Sequence, residues 1–238
     1  MFHGTRKPLL DWFVAIWWVT TQKNGASAEG LKQVLGLKSD QTAWLWLHKI
    51  RKAMVNPNRN KLSGTVEIDE TFIGGEAPGK RGRGAENKVL TIIAAEVEGR
   101  KIGRCRIGII EDGSAKSIHP FIVDNIEPGS TLITDGWNGY SGIEDKNFTR
   151  KIHIQKGEVD EEKLLPHVHL IASLLKRWLL GTHQGAVSKQ HLQSYLDEYV
   201  FRFNRRKAAQ RGLLFYRLLE SAMQTKTITY KELTQRNI

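Results

Sequence analysis

Thr65-Val66-Glu67-Ile68-Asp69-Glu70-Thr71 is the stretch on which the fold turns. Its β-branched residues favour a strand, which the pattern predicts over 65–69 with Asp69 closing it. Charged residues inside an otherwise apolar strand are costly, and are tolerated where function or pairing compensates. Glu67 alternates with Asp69 and so shares its face.

Further along, Val89 to Val97 and Lys101 to Ile110 are two more β-branched runs, predicted to form three consecutive antiparallel strands with the first. A helix is predicted over 115–126, a short strand over 131–134 that ends at Asp135, a fifth strand over 148–154, and helix from Pro166 to near the end. Strand, strand, strand, helix, strand, helix, strand, helix is the order of a ribonuclease-H-like fold. The fold class expected is therefore α/β, a mixed sheet flanked by helices.

Upstream, 9–20 and 27–35 read as helices, and a third begins at Ser39-Asp40, with Ala43, Trp44, Leu47, Ile50 and Met54 at near-helical spacing. Helix, tight turn, helix resembles a helix-turn-helix, whose second helix enters the major groove. Gln41, His48, Lys49, Arg51 and Lys52 are then candidate DNA readers; a three-helix packing unit with a solvated basic face is the alternative. Asn56-Pro57-Asn58-Arg59-Asn60 is a turn-rich break, dividing a helical segment, 1–58, from a catalytic domain with C-terminal helices, 59–238.

The 238 residues carry 36 Lys and Arg against 25 Asp and Glu, a formal charge of +11 that favours a polyanionic partner. The apolar run from Leu9 to Val19 is broken by Asp11 and falls short of the about 20 residues a bilayer span needs. No Ala-x-Ala-like cleavage site follows it, so a cytoplasmic, nucleoid-associated protein is expected, without a membrane partner. The single Cys105 supports neither a disulfide framework nor a thiolate zinc site. His167, His183 and His191 lack a recurrent zinc-ligand spacing and read as loop or helix-surface residues.

Asp69 and Asp135 each close a predicted strand. Paired carboxylates at strand termini can hold hard divalent cations, which in two-metal sites clamp the attacking and leaving oxygens of a phosphoryl displacement. The competing reading is a turn Asp, particularly for Asp135-Gly136.

Three ordered blocks carry a family resemblance. Residues 66–75, Val-Glu-Ile-Asp-Glu-Thr-Phe-Ile-Gly-Gly, resemble the first catalytic block of the ISXO2-like insertion-sequence transposases; Ile133-Thr134-Asp135-Gly136-Trp137-Asn138-Gly139-Tyr140 resembles the second; Leu192 to Arg206 resembles the C-terminal signature. Phe2-His3-Gly4-Thr5-Arg6 also matches, and a Cys-rich zinc ribbon that usually precedes it is expected to be missing from a truncated copy. The resemblance implies a ribonuclease-H-like core, two divalent metals, magnesium or manganese, and transfer of cut transposon ends to target DNA by an enzyme oligomeric on its terminal repeats. By distance from Asp135 it assigns the third ligand to His169, with Lys176 two helical turns on, on the same face, as a phosphate contact. A neutral imidazole suits manganese better than magnesium. A packing His169, with Glu161 or Glu162 supplying the carboxylate, is the alternative.

Lys80, Arg81 and Arg83 lie in a Gly-rich loop suited to clamping phosphates, and Arg177, Arg202, Arg205, Arg206 and Lys207 extend the basic charge along the C-terminal helices. Tyr195, Leu196, Tyr199, Val200 and Phe203 fall at helical spacing that signifies core. The expected reaction is phosphodiester hydrolysis to free a 3′ hydroxyl, then attack by that hydroxyl on target DNA. A catalytically weak DNA-binding relic and a ribonuclease-H-like nuclease are the other readings.

Overall fold

The computed structural model describes residues 1–56, 58–74, 88–153, 165–183 and 187–234. In chain order come helices α1 (Leu9–Thr21), α2 (Ala28–Leu35) and α3 (Asp40–Ala53), then strands β1 (Thr65–Ile73), β2 (Val89–Glu98) and β3 (Lys101–Ile109). Helix α4 (Ala115–Asn125), strands β4 (Thr131–Thr134) and β5 (Thr149–Ile152), and helices α5 (Pro166–His183), α6 (Leu192–Asn204), α7 (Arg211–Gln224) and α8 (Tyr230–Thr234) follow. The chain divides into two compact units, Asn60–Leu180 with Gly185–Lys189, and Met1–Arg59 with Gly181–Gln184 and Gln190–Ile238. A boundary near residue 59 is common to this division and to the turn-rich break; the helices beyond 190, however, group with the N-terminal helices.

The sheet unit has strand order β3-β2-β1-β4-β5. β1 and β2, and β2 and β3, are antiparallel, while β4 runs parallel to both β1 and β5. This is the ribonuclease-H-like mixed sheet. Between β4 and β5 the expected helix is replaced by two 3-10 turns, Asn138–Tyr140 and Ile143–Lys146.

β1 runs four residues further than expected, because 66–73 pair with β2 down to Ile73 opposite Val89. Asp69 is thus mid-strand, opposite Ile93. Alternation sorts the strand: Val66 and Ile68 are fully buried with Ile92, Ala94 and Leu132 against Ile118 and Ile122 of α4. Each such Val, Leu or Ile burial contributes roughly 1.5–3 kcal/mol. Glu67, Asp69 and Thr71 take the opposite face.

In the helical unit, Trp12, Ala15, Ile16 and Val19 of α1 pack with Ala43, Trp46, Leu47 and Ile50 of α3, Phe201 of α6, and Leu218 and Ala222 of α7. Trp12 and Trp46 stack at 3.7 Å. α2 starts on a Ser27 side-chain cap and ends at Gly36 in the left-handed region, which accounts for the tight turn before α3. Two of the expected DNA readers on α3 are core instead: His48 is 1% and Arg51 2% exposed. Arg51 Nε donates to Glu198 at 2.8 Å, an ion pair across α3 and α6 that turns the arginine inward. Gln41 and Lys52 are exposed, and the Lys49 ammonium stands 6.0 Å over the Trp12 ring. Among the described residues no helix is long and apolar enough to cross a membrane.

Candidate active site

The parallel pairing of β1 with β4 matches Thr65 to Thr131, Val66 to Leu132 and Glu67 to Ile133. β4 then stops at Thr134 while β1 continues. Counting two residues on along each strand brings Asp69 and Asp135 to the same level, where β1 no longer has β4 beside it. The Asp69 Oδ1 accepts from the Glu70 amide at 2.9 Å, and its Oδ2 lies 3.1 Å from His169 Nε2. Burial pushes the Asp69 carboxyl up from its ordinary range, and the Asp135 charge acts in the same direction; the Glu70 amide and His169 oppose them.

α5 begins at Pro166, suited to a first helical position because it has no amide hydrogen to satisfy. Its Val168, Ile171, Leu175 and Leu179 form the buried stripe. Three residues on one face of β1 hold it. The Glu67 carboxylate accepts from the His167 and Val168 amides at 2.9 and 3.2 Å and contacts His167 Nδ1 at 2.6 Å. Asp69 meets His169, and Thr71 Oγ1 accepts from the Lys176 ammonium at 2.7 Å. His169 and Lys176 are thus both brought to β1, each against a neighbouring residue of the same strand face.

The turn carrying Asp135 is braced from several sides. Asp135 Oδ1 accepts from the Trp137 amide at 2.9 Å, and the Trp137 indole donates to the Gly113 carbonyl at 2.6 Å. Arg150 on β5 donates to the Asp135 and Trp137 carbonyls at 3.1 and 3.0 Å and to Thr134 Oγ1 at 3.0 Å. A Cβ on Gly139 would lie 2.1 Å from the Gly113 carbonyl oxygen, so this turn admits only glycine there. Tyr140 donates to Glu70, and burial together with that carboxylate drives the phenol well above its ordinary pKa. A groove of about 830 Å³ runs along this edge, with Asp69, Glu70, Asp135, Phe72, Leu90 and Trp137 among its walls.

Among the described residues, no group of three or more His, Cys, Asp or Glu side chains converges closely enough to hold a metal ion. Asp69 and His169 are in contact, whereas Asp135 reaches them through its field and its level in the sheet. The donor chemistry nevertheless fits a divalent cation. Two carboxylates at one level, one of them held up in pKa by burial and by the other's charge, would be relieved by a bound positive ion.

The remaining expected residues divide by surroundings. Arg177 is exposed on α5. Arg202 is turned inward, donating to Glu198 at 2.8 Å and to the Gln22 and Val19 carbonyls at 2.7 and 2.8 Å, so it caps α1 instead of offering a free cation to phosphate. Arg205 and Arg206 lie over Phe201 and Phe203 at 4.1 and 4.0 Å, and of the two arginines Arg206 is exposed. His183 and His191, expected on loop or helix surfaces, join aromatic contacts with Tyr195, His48 and Trp44. Lys80, Arg81, Arg83, Glu161 and Glu162 lie outside the described residues. The parts not anticipated were the Glu67 contact to α5, its partner His167, Thr71 as the seat of Lys176, and Arg150 behind Asp135. Only Glu67 left a signal, a carboxylate alternating with Asp69 on a buried strand.

The sequence matches the ISXO2-like transposase domain over residues 61–204. No curated protein matches it. Similar solved structures include the simian T-cell lymphotropic virus intasome in complex with PP2A regulatory subunit B56 gamma, at 15% identity and TM-score 0.41 over 80% of this chain and 71% of that one. The Mos1 strand transfer complex aligns at 13% identity and TM-score 0.33, over 95% of this chain and 82% of that one. The Mos1 mariner paired end complex with Mn aligns at 10% and 0.31, over 88% and 75%.

Proposed function

Since the chain belongs to the ISXO2-like transposase domain family, we propose that it is a polynucleotidyl transferase that cuts transposon ends and joins their 3′ hydroxyls to target DNA. The observation that carries this reading is the shared level of Asp69 on β1 and Asp135 just past the end of the adjacent parallel β4, with the His169 imidazole 3.1 Å from Asp69. Asp69, Asp135 and His169 are the residues that would hold divalent cations, magnesium or, with a nitrogen donor, preferably manganese. Such ions, when bound, polarise the phosphodiester and acidify the attacking water or hydroxyl.

The chain's own residues do the rest. Lys176, held by Thr71 on the strand face that carries Asp69, supplies a cation for a phosphate brought to that face. Arg150 fixes the carbonyls on either side of the Asp135 turn, so that the carboxylate is presented without local reorganisation. Arg177 on the sheet unit and Arg206 on the helical unit are each exposed cations for phosphate, and α3 offers exposed Gln41 and Lys52 for a helix-turn-helix contact. Assembly as a homo-oligomer on paired ends, at the cytoplasmic nucleoid, belongs to the same reading.

The test supplies an oligonucleotide bearing a transposon end, supercoiled target and manganese. Joined product supports the transposase, cleavage without joining points to a ribonuclease-H-like nuclease, and binding alone to a non-catalytic relic. His169→Ala is expected to abolish joining; a fully active variant would remove this residue from the site.

A further inference from the structure

We propose that Glu67 is a positioning residue: its carboxylate sets the height and rotation of α5 so that the His169 imidazole meets Asp69. The inference rests on reading His169 as part of the active site.

Glu67 is 4% exposed on a strand whose other buried residues are apolar, a costly place for a carboxylate. Its compensation comes from α5. The first amides of a helix have no partner within it and carry partial positive charge, and a side-chain oxygen just before the helix ordinarily serves them. Here Leu165 precedes Pro166 and has no such oxygen. Glu67, 100 residues back along the chain, does so instead, accepting from the His167 and Val168 amides. Its second oxygen contacts His167 Nδ1, which fixes rotation as well as height.

The consequence follows from the geometry of the helix. Glu67 and Asp69 are two residues apart on one strand face, and His167 and His169 two apart on the helix. One residue of slip in α5 turns a side chain by about 100° and lifts it by about 1.5 Å. That is enough to take His169 away from Asp69. Packing alone would be served by an apolar residue at 67; a carboxylate that grips two specific amides and one ring specifies register.

The test has two arms on the full chain: ¹⁵N signals of the His169 ring, assigned with His169→Gln, and strand transfer measured against DNA concentration. Glu67→Ala is expected to move the His169 signals toward those seen in Asp69→Asn. It should lower kcat roughly 10- to 100-fold with KM for DNA unchanged, the usual scale for groups that orient a metal-site ligand. Glu67→Asp keeps the charge but loses the reach, so it should behave as Ala and serves where Ala does not fold. Glu67→Gln can accept from both amides and donate to His167 Nδ1, and should keep both readouts near wild type. Unmoved His169 signals in the Ala and Asp variants, or a Gln variant as impaired as Ala, overturn the proposal. A wild-type chain that never joins DNA sinks the functional reading, while the ring signals still decide the role of Glu67.

Discussion

Glu67 on β1 and Glu198 on α6 are both buried carboxylates, at 4% and 1% exposure, yet their surroundings differ in kind. Glu198 is closed in by two arginines: Arg51 donates to one oxygen and Arg202 to the other, each at 2.8 Å. Against the upward push of burial, these two cations hold its pKa down at about 2. Glu67 has helix amides and an imidazole instead, and its strand neighbours Asp69 and Thr71 meet residues that are themselves exposed. A closed charge network builds architecture; a graded one, whose outer members are exposed, is suited to chemistry. The contrast also qualifies the net charge of +11, because Arg51 and Arg202 are counted in it while facing inward.

The largest expected effect tests whether the sheet unit's open end is chemical. Asp69→Asn and Asp135→Asn should each reduce strand transfer on the order of 10³-fold or more, since members of one catalytic group fail together. Stability should not follow. Burial raises the Asp69 pKa in the fold, so its ionised form is a cost at neutral pH, and a neutral Asn removes that cost. A urea midpoint equal to or above wild type, beside lost joining, is the expected pair of results; a destabilised Asp69→Asn would make this carboxylate structural, like Glu198.

Stability is where the helical unit should respond. Glu198→Ala leaves Arg51 buried without its carboxylate and should cost about 3–5 kcal/mol, read from urea unfolding. Removing the more deeply buried cation as well, in Arg51→Met with Glu198→Leu, should recover part of the loss, because that pair is offset by its own desolvation while Arg202 keeps the Gln22 and Val19 carbonyls. If the double variant is as weak as the single one, the network does more than neutralise itself.

How far the sequence revealed this contrast depended on the range of the partners. The order of the strands along the chain was legible because each strand announces itself locally, and β4 over 131–134 needed nothing beyond its four residues. β1 was read short because Asp69 and Glu70 look like a strand end; what carries it to Ile73 is pairing with β2, a tertiary fact. Asp69, Asp135, His169 and Lys176 were named from block resemblance and spacing, and the last two do lie against β1. His48 and Arg51 were misread as solvent-facing: charge argued for a surface, while the carboxylate that draws Arg51 inward lies 147 residues away. Glu67 was visible as an anomaly, but the helix it serves is 100 residues distant.

Acid sharpens the comparison through signs. Burial, aided by Arg51, lowers His48 to about 3 and His183 to about 4, both from 6.5. Both are therefore neutral in the fold, and their contribution is present above 6.5 and lost as pH falls toward 4 and 3. Glu198 adds a second window, its contribution present above 4.5 and lost toward about 2. Asp69 acts oppositely, since protonation relieves it. The urea midpoint should fall between pH 7 and 4, and His48→Phe should flatten that fall by up to about 3 kcal/mol. Identical slopes in the two proteins would show that His48 is not held neutral.

The smallest effect asks which arginines belong to DNA. Arg177 is exposed on α5, whereas Arg51 is 2% exposed and paired. Each phosphate contact contributes close to one unit to the slope of log affinity against log salt, so Arg177→Ala should reduce that slope by about one without changing the urea midpoint. Arg51→Met with Glu198→Leu removes one positive and one negative charge from the interior and should leave the slope where it was. A slope changed by the buried pair, or untouched by Arg177, would break the division between cations that hold the fold and cations that meet DNA.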